Sequence, residues 1–240
     1  MSLVAHLPAL QVVVPLLAAP LTVLLRRRAY AFAVAVAASW AALAIAVALW
    51  LRVADRGTIS YAIGNWPPPW GIEYRVDALN AFALVLVAAI ASVVLPYSRK
   101  SIEEEVSPQQ HYLFYTMFVL CLAGLLGITI TGDAFNVFVF LEISSLSTYV
   151  LIALGRDRRA LMASYQYLIM GTIGATFIVI GIGLLYLMTG TLNLADMGRR
   201  IGAVQGSRPV LAALAFLTVG ITLKAALFPL HQWLPNAYTF

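Results

Sequence analysis

Apolar and polar positions along the chain fall into long blocks, not the short alternations of a water-soluble fold. Seven apolar runs stand out, at roughly 7–25, 29–51, 77–97, 110–131, 132–154, 160–189 and 209–231. Each predicts a helix long enough to cross about 30 Å of hydrocarbon at about 1.5 Å per residue. Backbone groups in lipid must pair within their own segment, so helix is the open-chain solution. A closed barrel would need alternating segments of about ten residues, and the chain has none. The pattern therefore predicts an all-α membrane protein of seven transmembrane helices. We divide it into residues 1–76, two helices and an outer loop, and residues 77–240, helices three to seven.

The polar blocks refine this picture. Arg52 to Asp77 carries Pro67, Pro68 and Pro69, which exclude a helix there. Its Tyr61, Trp66, Trp70 and Tyr74 suit a membrane interface. Ser98 to Gln110 carries Glu103, Glu104 and Glu105, which read as a solvated charge run. Arg26, Arg27 and Arg28 follow the first apolar run instead of preceding it, so that run reads as a retained span, not a signal peptide. With the N-terminus outside, inner ends collect Arg26 to Arg28, Arg99, Lys100, Arg156, Arg158 and Arg159, and outer loops hold six other arginines. The arginines tightest against span ends favour this orientation.

Composition agrees with the pattern. Hydrophobic residues make up 62% of the 240 residues and charged ones 10%, against about half and about a quarter in soluble domains. The net charge of +5 comes from basic residues at span ends, so it points to topology and not to nucleic acid. Cys121 is the single cysteine and sits mid-run as a small hydrophobe. No metal-ligand spacing, phosphate loop or dinucleotide fingerprint occurs, so no cofactor or metal is expected. Glycines in span six (Gly171, Gly174, Gly181, Gly183) read as helix-packing positions. His6 and His111 lie at span edges and read as interfacial.

Nine of the ten acidic residues lie in loops or at span ends. The tenth, Glu142, lies nine residues beyond Asp133, about 13 Å into span five. Among fifteen basic residues only Lys224 falls inside a span. A charge at the helix centre costs about 2.5–3.5 kcal/mol on insertion scales. Two of opposite sign read either as a structural ion pair or as a proton-carrying carboxylate governed by a movable ammonium. Ser144, Ser145, Ser147, Thr148 and Tyr149 follow Glu142, and Ser145 and Tyr149 share its face. Hydroxyls there can carry water chains or simply allow close packing. Pro229 interrupts span seven and frees the carbonyl of Ala225, and His231 and Pro235 follow, so the helix is expected to end by about Leu234. An imidazole suits proton exchange close to neutral pH, so His231 reads either as a proton carrier or as a packed or interfacial histidine.

Three stretches carry a resemblance. GDAFNVFVFLEISSLSTYVLIALG (132–155) is similar to the fifth helix of antiporter-like, proton-translocating membrane subunits, LKAALFPLHQWLPNAY (223–238) to their broken seventh helix, and WPPPWGIEYRVDALN (66–80) to the segment before their third. The family includes the D-type subunit of Mrp-type monovalent cation/proton antiporters and the antiporter-like subunits of complex I and membrane-bound hydrogenases. The wording FNVFVFLEI resembles the Mrp D-type version more closely than the complex I versions. The resemblance implies that Glu142 and Lys224 are the coupled acid–base pair of a proton half-channel and that His231 is the histidine after the break. It implies Na⁺ or K⁺ and protons as cargo, and other membrane subunits of an antiporter or respiratory complex as partners. It implies a bacterial or archaeal cell membrane. Family members run to about fourteen helices in inverted repeats. The chain is thus expected to be an N-terminal portion holding an incomplete first repeat.

Overall fold

The computed structural model describes residues 3–239. A 3₁₀ turn, Leu3–His6, leads into α1 (Leu7–Leu25) and then α2 (Arg28–Arg56). A two-stranded hairpin follows, β1 (Ile59–Ala62) against β2 (Glu73–Val76), antiparallel with Tyr61 opposite Tyr74. Next come α3 (Ala78–Tyr97), the short α4 (Arg99–Glu105), α5 (His111–Ile130), α6 (Ala134–Ala153) and α7 (Arg158–Thr189). The short α8 (Leu194–Arg200), α9 (Arg208–Lys224) and α10 (Trp233–Thr239) come last.

Among the described residues six helices, α1, α2, α3, α5, α6 and α7, are long and apolar enough to span a membrane. The expected seventh span is divided. Its helix α9 has 17 residues and stops at Lys224, not near 231 or 234 as the sequence suggests. Residues 225–232 are turns, with Ala226 at φ +52°, and α10 then begins. The physical reason is Pro229, which cannot donate to Ala225 and ends the ladder four residues upstream. Pro235, expected past the helix end, instead occupies the first turn of α10, where its missing N–H has no intrahelical acceptor to lose. The loop expected over Arg52 to Asp77 is also corrected. Arg52 to Arg56 continue α2, and the segment beyond folds back as the hairpin.

The helices pack as an irregular bundle. α1 lies between α2 and α5, α3 leans on α2 and α5, and α6 links α5 to α7, which carries α9. Close approach is written into α2: Ala31, Ala35, Ala38, Ala42 and Ala46 recur on one buried face. Small side chains let backbones approach where lipid offers no hydrophobic drive between helices. Ala42→Leu would overpack this seam, at a cost of about 1–3 kcal/mol.

The two ends differ in chemistry. One end gathers the basic clusters: Arg28 and Arg99 both pair with Glu103, and Arg156 N–H donates to the Glu105 carbonyl at 3.1 Å. Glu103 is a half-exposed paired anion of α4, while Glu104 and Glu105 are exposed, as a solvated charge run predicts. His111 is buried in protein at the first residue of α5, its Nε2 3.0 Å from the Val106 carbonyl. The other end carries the hairpin, the helix caps and α8. Asp77 caps α3 by accepting from Asn80 N–H at 2.9 Å, and Asp133 caps α6 through Asn136 N–H at 2.8 Å.

Candidate functional site

Glu142 and Lys224 meet inside the bundle. Lys224 Nζ donates to Glu142 Oε1 at 3.0 Å and to Ser145 Oγ at 2.9 Å. The lysine side chain is 10% exposed and the glutamate 24%, so both are largely withdrawn from the surroundings. Chain direction explains the meeting. α6 and α9 start together at the hairpin end, where Ala134 and Val210 share one apolar cluster. Glu142 lies about 13 Å along α6, whereas Lys224, sixteen residues along α9, lies about 24 Å deep. Helical side chains lean toward the N-terminus, so the lysine stem reaches back toward the glutamate. Lys224 is the last residue of α9, and not a mid-helix residue as its place in the apolar run suggests.

The hydroxyls of α6 divide into two groups. Ser144, Ser147 and Thr148 donate to carbonyls of their own helix. Gly124 packs against Ser144, so that serine serves close packing with α5. Ser145 alone among the described serines bonds the ammonium. Tyr149 is buried at 4% exposure. Its ring meets Tyr167 edge to face at 4.5 Å, and Tyr167 stacks on Trp233 at 4.0 Å. Trp233 Nε1 donates to the Leu223 carbonyl at 3.1 Å, one residue before Lys224. Sequence reasoning passes over Tyr167 and Trp233. Trp233 lies in the stretch 223–238, but indole chemistry gives no signal for which carbonyl it will cap.

His231 is not joined to the pair. It lies in the turn after the break, its ring 5.5 Å from Phe228, with Nδ1 buried and unpartnered. Among the described residues no hydrogen bond links it to Glu142 or Lys224, and no three His, Cys, Asp or Glu side chains gather as a metal's ligands would.

A second polar centre closes the hairpin end. Glu73 is 7% exposed; it accepts from Ser60 Oγ and, at 2.8 Å, from Asn193 Nδ2. Backbone bonds extend the seam: Gly132 N–H to the Glu73 carbonyl at 2.8 Å and Leu194 N–H to the Gly132 carbonyl at 2.9 Å. Burial pushes the Tyr74 phenol up to about 12 and raises the Asp133 carboxyl above its ordinary value.

Residues 131–240, which include both charges, match the family described as NADH:quinone oxidoreductase/Mrp antiporter, TM. The chain belongs to this antiporter-like family of membrane subunits. It is 44% identical over 248 residues to the N-type subunit of NADH-quinone oxidoreductase from Desulforudis audaxviator, covering 98% of this chain and 47% of that one. It is 31% identical over 186 residues to the D-type subunit of the Na⁺/H⁺ antiporter from Alkalihalophilus pseudofirmus, covering 78% and 37%. Among solved structures, it matches a chain of the membrane-bound sulfane sulfur reductase, an archaeal respiratory membrane complex. That match has a TM-score of 0.89 and 31% identity, and covers 97% of this chain and 47% of that one. The chain thus spans between about a third and a half of the curated relatives it matches. The antiporter-like fold accounts for the broken α9, because a helix interrupted at depth survives where it is buried in protein or lines a wet cavity.

Proposed function

We propose that the protein is the proton-conducting subunit of a multisubunit monovalent cation (Na⁺ or K⁺)/proton antiporter. In this reading Glu142 carries the proton and Lys224 controls it. One observation carries the proposal. Among the described residues, a single ion pair, 3.0 Å long, lies in the bundle interior; it joins the acid and the base that lie deep within the apolar runs, and its base sits at a helix break. The Lys224 ammonium stabilises the Glu142 carboxylate, whereas withdrawal from water favours the neutral acid. Moving the ammonium away loads a proton onto Glu142, and its return expels that proton toward the next carrier. His231 is a later carrier on this route, reached by rearrangement of the 225–232 turns. The partners are other membrane subunits. The membrane is a bacterial or archaeal cell membrane, with the arginine-rich end cytoplasmic and the N-terminus outside.

A second reading places the same pair in a proton-pumping subunit of an NADH–quinone oxidoreductase or related respiratory complex. The 44% identity to an oxidoreductase subunit, against 31% to an antiporter subunit, favours it. Local physics is the same in both readings, and the partners differ.

The test uses the full-length protein in its assembled complex, in inverted vesicles. Glu142→Gln keeps size and an amide but releases no proton. It is expected to cut cation-dependent dissipation of a pH gradient by about 100-fold or more while assembly persists. Wild-type transport by this variant refutes Glu142 as the carrier. Proton pumping driven by a reductant, with no cation dependence, selects the second reading.

A further inference from the structure

The proposed mechanism needs a second place for the Lys224 ammonium when Glu142 is neutral, and a bare ammonium at this depth is costly. We propose that the Ser145 and Tyr149 hydroxyls form that second berth. The inference rests on the proton-carrier reading and adds positioning residues to it.

Four observations carry it. First, Ser145 already holds Nζ at 2.9 Å, through a bond that does not depend on the charge of Glu142. An ammonium has three donors, so one remains for a further acceptor. Second, depth along the helices fits a retraction. Glu142, Ser145 and Tyr149 lie about 13, 18 and 24 Å along α6, and the Lys224 backbone is itself about 24 Å along α9. The stem now reaches back toward Glu142. Withdrawing along α6 carries the ammonium past Ser145 toward the level of its own Cα, and the Tyr149 side chain, which leans toward the same helix start, lies between those levels. Third, the Tyr149 hydroxyl is buried and has no hydrogen-bond partner. A buried hydroxyl without a partner is unfavourable, and an arriving ammonium would supply that partner.

Fourth, glycines of α7 seat both groups closely. A Cβ at Gly171 would run into the Tyr149 hydroxyl, and one at Gly174 would lie 3.5 Å from Lys224 Cγ. Residues three apart share a helix face, so the tyrosine hydroxyl and the lysine stem occupy neighbouring seats on one side of α7. Trp233 stacks on Tyr167 while capping Leu223.

The experiment measures turnover and assembly of the full-length protein in its complex, in inverted vesicles, with Glu142→Gln measured alongside. Tyr149→Phe and Ser145→Ala should each lower turnover about tenfold, the worth of one hydrogen bond to a charged group, with the cation concentration for half-maximal rate unchanged. Ser145→Thr keeps the hydroxyl and should recover most of the rate. Gly171→Ala should displace the tyrosine hydroxyl and slow turnover. Adding Tyr149→Phe to Gly171→Ala should relieve the clash and restore normal assembly, yet leave turnover at the Tyr149→Phe level. Wild-type turnover in Tyr149→Phe and Ser145→Ala, with Glu142→Gln inactive, overturns the berth and leaves the proton carrier standing. An active Glu142→Gln overturns the carrier reading and the berth with it.

Discussion

Glu73 and Glu142 are both carboxylates withdrawn from water, one at the hairpin end and the other about 13 Å into the bundle. Glu73 is held by neutral donors from two distant segments, Ser60 of the hairpin and Asn193 before α8. Neither donor carries a charge that can come and go, and backbone bonds through Gly132 lock the same seam. Glu142 is held by one ammonium at the end of four rotatable methylenes, beside a helix break. Burying a carboxylate against fixed dipoles makes a clamp. Burying one against a single mobile cation makes a pair whose charge state can be reset. On the proposed reading, the hairpin end is structural and the interior pair carries the proton chemistry.

The largest effect that sharpens this comparison is expected at Lys224. Lys224→Ala removes the mobile charge and should abolish transport, by about 100-fold or more in vesicles, because Glu142 then has no cation to expel its proton. Lys224→Arg keeps the charge but fits the site differently and resists deprotonation, so it should recover only part of the rate. A Lys224→Ala protein transporting normally would reduce the pair to a structural contact.

Glu73→Gln should act the other way. It replaces an acceptor oxygen by an amide facing a donor, which should lower stability by about 2 kcal/mol. Thermal denaturation of the detergent-solubilised complex would read this, while turnover per assembled complex should stay within about twofold of wild type. Transport loss without destabilisation would break the division between the two ends.

Trp233→Phe should have a smaller effect. The stack on Tyr167 survives, and the bond to the Leu223 carbonyl is lost, worth about 0.5–1.5 kcal/mol. Hydrogen exchange over residues 221–233 should speed up accordingly.

The smallest effect is expected at Asp196, whose carboxyl accepts from Arg200 at 2.8 Å and is held below its ordinary value of 3.8 mainly by that bond. A depressed carboxyl stabilises the fold above 3.8, and the contribution disappears as pH falls through its lower folded value. Asp196→Asn should therefore lower stability slightly at neutral pH, flatten the acid limb of a stability–pH curve, and converge with the wild type at the acid end.

Much of this is legible in the sequence, and the failures share one cause. The apolar blocks locate six full spans, and two lone charges in those blocks locate the pair. Pro229 locates the break. What the blocks hide is what happens when backbone groups need partners. Apolar composition runs on past Lys224, so the helix looks longer than its hydrogen bonds allow. Glu73 sits among loop residues and aromatic side chains that read as interfacial. Its burial depends on Asn193, which is 120 positions away and invisible to any local pattern. His231 shares a motif with Lys224, yet the turn between them separates the ring from the pair.

The most direct test of the central claim follows the protons on the two glutamates. Infrared difference spectra of the assembled full-length complex, recorded between neutral and acidic pH, report the carbonyl stretch of a carboxylic acid that gains a proton away from water. The expected result is a band that disappears in Glu142→Gln, shifts in Lys224→Arg, and persists in Glu73→Gln. A band unchanged in Glu142→Gln, or one lost in Glu73→Gln, would contradict proton carriage by Glu142.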